Sequence, residues 1–236
     1  MTFEGSIHEA RLEVENGKFN KYAHVLVDEV QDFSFEALRL IYALSTIEEG
    51  HMDPLCIVGD GHQRVYGTNI AMSRAGIDVR GRSRRLKVNY RTSEQIRQFA
   101  QGILEGVEAD DLDGGITSTV GDHSLFKGPQ PWVERFKEKR AEADAIVIWI
   151  QMLLIDPNLH MASRGICVTS YKPLLRTAFK SAGIKSLEIE SREEDPGEKE
   201  PGVRLASMQR IKGLEFRAVA LCCSQSGDTM NHLKDA

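Results

Sequence analysis

No window of this 236-residue chain reaches the ~18 apolar residues that a membrane-spanning helix needs, so none is expected. The opening MTFEGSIHEARLE has no long apolar core and does not read as a signal peptide. Cysteine is scarce. Cys56, Cys167, Cys222 and Cys223 are the only four, and none forms a C-x-x-C pair. That argues against a zinc site. Three of them lie inside apolar runs, as small buried hydrophobes of a reducing compartment do, and a cytoplasmic location is expected. An excess of positive charge is also missing. Lys and Arg number 30 against 35 Asp and Glu, a net charge of −5, so any binding to a polyanion must rest on a local patch. There is no internal repeat.

What is present is ordinary globular material. With 41% hydrophobic and 28% charged residues the chain is expected to fold, and its length suits one large domain or two small ones. Short apolar runs alternate with amphipathic segments. HVLVD (24–28), LCIVGD (55–60), GICVTS (165–170), VRLASM (203–208) and AVALCC (218–223) read as strands of a parallel sheet covered on both faces. In TSEQIRQFAQGIL, Ile96, Phe99, Ala100, Ile103 and Leu104 repeat at helical spacing, and Thr92 with Gln95 has the spacing of a capping box. Over 138–154, Ala143, Ile146, Val147, Ile150 and Leu153 form one stripe. In YKPLLRTAFKSAG, Pro173 fits a first helical turn and Gly183 a helix end. Alternating strands and helices predict an α/β fold. Residues 109–131 read as loop, and EIESREEDPGEKEPG (188–202) as an exposed charged linker.

The stretch VLVDEVQDF (25–33) ends an apolar run on Asp28, Glu29 and Asp32. Parallel strands deliver their C-terminal ends to the ligand edge of a sheet. Adjacent acids there suit Mg²⁺, which takes one or two carboxylates and completes its shell with water and phosphate. One acid holds the metal while its neighbour accepts a proton from an attacking water. Taken alone, a D-E pair reads equally as a strand end followed by a solvated turn. Three more segments follow in order: IVGDGHQRVYG (57–67), LKVNYRTSEQI (86–96) and VRLASMQRIKGLEF (203–216).

Together these resemble four motifs of UvrD/Rep-type superfamily 1 DNA helicases. DEVQD is similar to the Walker B element, VGDGHQRVYG to the third motif, NYRT to the fourth and KGLEF to the fifth, over residues 24–223. The resemblance implies RecA-like (P-loop NTPase-type) motor domains with parallel sheets. Residues 1–86 would be the C-terminal part of the first domain, incomplete here, and 87–236 a nearly complete second domain without a large insertion. It implies ATP and Mg²⁺ as cofactors and single-stranded or partly duplex DNA as partner. Asp28 would coordinate Mg²⁺, and Glu29 would activate the hydrolytic water and meet the metal through it. Gln63 would sense the γ-phosphate, Tyr90 would stack on adenine, and Arg91 would reach the γ-phosphate across the cleft between motor domains. Glu215 would contact the ribose, with Lys212 in the loop leading to it. Tyr66, Arg84 and Arg85 are the expected nucleic-acid contacts, the last two within the basic cluster RGRSRRLK (80–87). Each has a plainer alternative: Gln63 and Arg91 as surface caps or ion pairs, Tyr90 as core, Lys212 and Asp32 as caps or salt bridges, Asp60 as a turn-orienting residue.

The sequence also departs from that pattern. No G-x-x-x-x-G-K-[ST] occurs in it, and no arginine-bearing final motif follows 218–223. Thr68 and Asn69 stand after Gly67 where the family often has a Trp, and Gln209 stands where it usually has His. The chain therefore reads as the middle of a helicase: a 3′→5′ translocase in its intact parent, with little ATPase activity alone. The alternative is a non-catalytic module that binds nucleic acid or a protein partner completing the first domain. A metal-dependent nuclease is disfavoured, because no larger acidic set accompanies Asp28 and Glu29.

Overall fold

The computed structural model describes residues 2–45, 54–63, 72–105, 121–169, 172–190, 197 and 199–223. Packing divides the chain into two compact units, Met1–Pro131 and Trp132–Asp235. The architecture is mixed α/β, and every strand pairing recorded among the described residues is parallel.

In the first unit, α1 (Phe3–Glu15) is capped by Thr2, whose side chain accepts from the Gly5 N–H. It packs on α2 (Phe35–Leu44), which Ser34 caps in the same way through the Ala37 N–H. Arg11, 4% exposed, ties the two helices by donating to Glu15 and Glu36. Strands β1 (Val25–Val27) and β2 (Leu55–Ile57) pair in register, Val27 opposite Ile57. One face of this pair is filled. Val27 and Val30 pack with Leu38 of α2 and with Met72, Ala75 and Ile77. On the other face Leu26 is 83% exposed, and Cys56 and Val58 are also open. Among the described residues the expected cover on both faces of this pair is thus met on one, where α2 and the 72–77 segment both lie.

Further along, β3 (Val88–Asn89) pairs with β4 (His123–Ser124), and α3 (Glu94–Ile103) follows β3. The cap of α3 is Ser93, whose Oγ accepts from the Ile96 N–H, one residue later than the spacing of Thr92 and Gln95 predicts. Thr92 is diverted. Its hydroxyl accepts from Asn89 Nδ2, leaving Ser93 as the oxygen at the helix entrance. The segment after β4 is laced onto this entrance. Phe126 O accepts from Glu94 N, and Gly128 N donates to Gln95 Oε1. A Cβ at Gly128 would stand 2.8 Å from Ser93 Cβ, so only glycine allows this approach.

The second unit is built on a four-stranded sheet in the order β6-β7-β5-β8. Its strands are β5 (Ile166–Thr169), β6 (Ser186–Glu188), β7 (Val203–Ala206) and β8 (Ala218–Leu221). Helices α4 (Lys139–Ile155) and α5 (Lys172–Ser181) cover one face, burying Ala143, Ile150, Leu175 and Phe179 against Ile166, Val168, Val203 and Leu205. Ile189, Ile211 and Phe216 close the other face over Cys167 and Ala206. Gly183, at φ +70°, ends α5 in the left-handed conformation as the sequence predicts.

The 188–202 stretch departs from the expected exposed linker at its described ends. Ile189 is buried, and Arg204 of β7, 4% exposed, donates to the carbonyls of Gly197, Glu200 and Gly202. The cysteines also split. Cys167 and Cys222 are buried, and desolvation pushes both thiols up to about 12, whereas Cys56 and Cys223 are exposed rather than core. Among the described residues no helix is long and apolar enough to cross a membrane.

Candidate nucleotide site

β1 and β2 end side by side, held by Val58 N donating to Val27 O and Val30 N donating to Val58 O. Asp28 and Glu29 occupy the turn where β1 stops. Asp28 is exposed, and its carboxylate accepts from the Glu29 N–H at 2.8 Å. Glu29 adopts φ +53°, the left-handed region, an uncommon choice for a non-glycine residue. Strain of this kind gathers at functional sites when the surroundings hold it in place.

Those surroundings are specific. Gln31, 4% exposed, donates through Nε2 to Glu29 Oε2, and its Oε1 accepts from the Asp60 N–H at 3.0 Å. Asp60 lies just past β2. Its Oδ1 accepts from the His62 N–H, and its Oδ2 accepts from Gln63 Nε2 at 2.9 Å. A continuous hydrogen-bonded path therefore runs from Glu29 through Gln31 and Asp60 to Gln63. The sequence singled out Glu29 and Gln63, passed over Gln31, and left Asp60 as a turn residue. The signal for both was their place inside the motif segments, at the C-terminal ends of neighbouring strands.

Tyr90 and Arg91 stand on a second element, the turn from β3 into α3. Asn89 Oδ1 accepts from the backbone N–H groups of Arg91 and Thr92; Arg91 is exposed, and Tyr90 is 73% exposed rather than core. Glu94, at the helix entrance, is held down to about 2 by Arg97 first and by the Ser124 N–H second. In the basic cluster Arg85 is engaged by Asp122 and Arg80 by Asp78, while the Arg84 guanidinium donates to the carbonyl of its neighbour Ser83. Tyr66 lies outside the described residues.

In the second unit Lys212 and Glu215 sit in the connection from β7 to β8, which turns on bonds from Arg210 N and Ile211 N to Ser207 O. Ile211 and Phe216 anchor this connection in the core on either side of the two charged residues. Lys212 is half-buried and Glu215 exposed.

The donor set bears on which metal fits. No group of three or more His, Cys, Asp or Glu side chains gathers among the described residues. Asp28 with Glu29 offers two oxygen ligands on an open strand end. This fits a hard cation that keeps waters and borrows phosphate oxygens, and not a closed zinc or calcium cage.

The stretch that carries this arrangement can be compared with known proteins. Residues 7–75 match the family model described as the UvrD/REP helicase N-terminal domain. This segment is UvrD/Rep-type helicase sequence. The chain is also similar to DNA helicase IV of Escherichia coli (strain K12), 31% identical over 109 residues. That match takes in 44% of this chain and 16% of the relative, so the chain spans only a small part of the length of the helicase it resembles. Asp28, Glu29, Gln31, Asp60 and Gln63 all lie within the matched residues 7–75.

Proposed function

We propose that this chain is part of the motor of an ATP-dependent DNA helicase or translocase with 3′→5′ polarity. The observation that carries the reading is the path from Glu29 through Gln31 and Asp60 to Gln63 at the adjoining ends of two parallel strands. Hydrolysis of a triphosphate needs a metal-holding acid, a base for the water, and a group that registers the γ-phosphate. Asp28, Glu29 and Gln63 are of the right types, and the last two are mechanically joined. Asp28 would hold Mg²⁺, which when bound neutralises charge on the phosphate oxygens. Tyr90, exposed, offers a flat face to adenine, and Arg91 a guanidinium to the γ-phosphate. Glu215 is assigned to the ribose, with Lys212 beside it. Residues 1–86 are read as the end of a first RecA-like domain and 87–236 as most of a second, in a cytoplasmic protein.

The phosphate-cradling loop is not in this sequence. Each charge-assisted contact of such a loop is worth roughly 1.5–3 kcal/mol, so the isolated chain should turn over ATP poorly. Steady-state ATPase with single-stranded DNA checks this, and a turnover above about 1 s⁻¹, within the usual enzyme range, overturns it. DNA contact is tested separately. Affinity for single-stranded DNA should fall with salt at a slope that reports several neutralised phosphates. Arg84→Glu should weaken it more than Arg85→Glu, because Asp122 already engages Arg85. Salt-independent binding, or none at low salt, removes the DNA assignment.

The second reading is a non-catalytic module that a protein partner completes. The open face around Leu26 and Val58 favours it, since exposed apolar sheet surface invites association. Size-exclusion chromatography of the purified chain separates a self-associating or partner-seeking module from a well-behaved monomer.

A further inference from the structure

We propose that Gln31 is a positioning residue, which aims the Glu29 carboxylate and carries any change in it to the turn bearing Asp60 and Gln63. The amide is suited to this because it is two-ended. Its Nε2 donates to Glu29 and its Oε1 accepts from Asp60 N, so one rigid planar group spans two strand ends. Gln31 is 4% exposed, and burial strengthens both bonds and makes losing either costly. Glu29 is held at φ +53°. Gln31 gives the carboxylate carried on that backbone a side-chain tether. At the far end, Asp60 divides its carboxylate between His62 N and Gln63 Nε2, so a shift of the Asp60 backbone moves Gln63 directly. A ligand that pulls on Glu29 would thus be registered at Gln63 through Gln31. Glu29 as the water-activating group comes from the proposed function above. The link itself is a property of the free chain.

The test needs no nucleotide, so weak ATPase activity does not blur it. In the full chain, Glu29→Gln weakens the charge-assisted bond to Gln31. Amide exchange at Asp60 should then quicken about threefold to tenfold, and the Gln63 side-chain amide signal should move in the NMR spectrum. In a Gln31→Met background both responses to Glu29→Gln should vanish. Gln31→Glu separates the two ends. It still accepts from Asp60 N, but as a carboxylate it cannot donate to Glu29; Glu29→Gln in this background re-forms the pair with donor and acceptor exchanged, so protection of the Asp60 amide should rise rather than fall. Protection of the Val58 amide, bonded to Val27 O, reports that the strand pair is intact. If the Glu29→Gln response persists undiminished in the Gln31→Met background, keeps its sign in the Gln31→Glu background, or is absent from the start, the proposal fails. If both Gln31 variants lose Val58 protection, Gln31 is a packing residue and the proposal fails as well.

Discussion

In the second unit β5 and β7 are buried along their whole length, from Ile166 to Thr169 and from Val203 to Ala206. In the first unit β1 buries Val27 and leaves Leu26, one residue away, 83% exposed. Both kinds of strand come from short apolar runs that look alike on paper. The difference lies in what the chain between strands supplies. The second unit places two helices on one face of its sheet and the Ile211–Phe216 connection on the other. The first unit places α2 and the 72–77 segment on one face only. Stability and chemistry are therefore separated. Among the described residues the second sheet, covered on both faces of β5 and β7 though open at Val219 and Leu221 of β8, holds most of the buried apolar residues, while the candidate site stands on the thinly supported pair.

The sharpest way to break that contrast is to empty the second core. Phe179 is fully buried among Ile166, Val168 and Leu205. Phe179→Ala should cost about 3–5 kcal/mol, read by urea denaturation followed through Trp149 fluorescence. A loss under about 1.5 kcal/mol would mean that the second core is no better filled than the first. Next in size is Arg204→Met. It strands the carbonyls of Gly197, Glu200 and Gly202 and should cost roughly 2–3 kcal/mol by the same measurement. A neutral result would return the 197–202 stretch to the status of a passive linker.

In the first unit the expected effects shrink to those of local devices. Ser93→Ala removes the oxygen that caps α3 and should cost about 1 kcal/mol, and Thr92→Ala should cost less. The reverse order would restore the capping register expected from sequence. The acid response follows from Glu94. Its folded value, about 2, lies below the unfolded 4.5, with Arg97 the first cause. A depressed carboxylate stabilises the fold fully above its unfolded value, and that contribution is lost as pH falls from about 4.5 toward 2. Glu94→Gln should therefore flatten the acid limb of a stability profile over that window and leave the slope near pH 7 unchanged.

The strand positions were legible because an apolar run survives in the sequence whatever covers it. All five expected runs contain strands, within three residues of their ends. Which faces are covered was not legible, because cover depends on where α2 and the 72–77 segment return to. The short pair β3–β4 and the Gly128 approach to Ser93 were invisible for the same reason: both join residues 35 positions apart. At the candidate site the acids at 28 and 29 and Gln63 were readable as chemistry. Gln31 was not, since a glutamine two residues past an acid has no pattern of its own. Its meaning comes only from the Asp60 backbone that β2 carries alongside. Arg204 makes the same point in reverse. An arginine inside an apolar strand reads as a misfit until the three carbonyls it serves are seen.

The smallest expected effect is the one on which the contrast finally rests. If the outer face of β1 and β2 meets only solvent, Leu26→Lys removes no packing and should change stability by no more than about 0.5 kcal/mol. The same change should lower any self-association, because it puts a charge in the middle of the apolar patch formed with Cys56 and Val58. Urea denaturation and sedimentation of the same variant give both numbers. A cost above about 1.5 kcal/mol would show that Leu26 is covered in solution, and the first sheet would then be a closed core like the second.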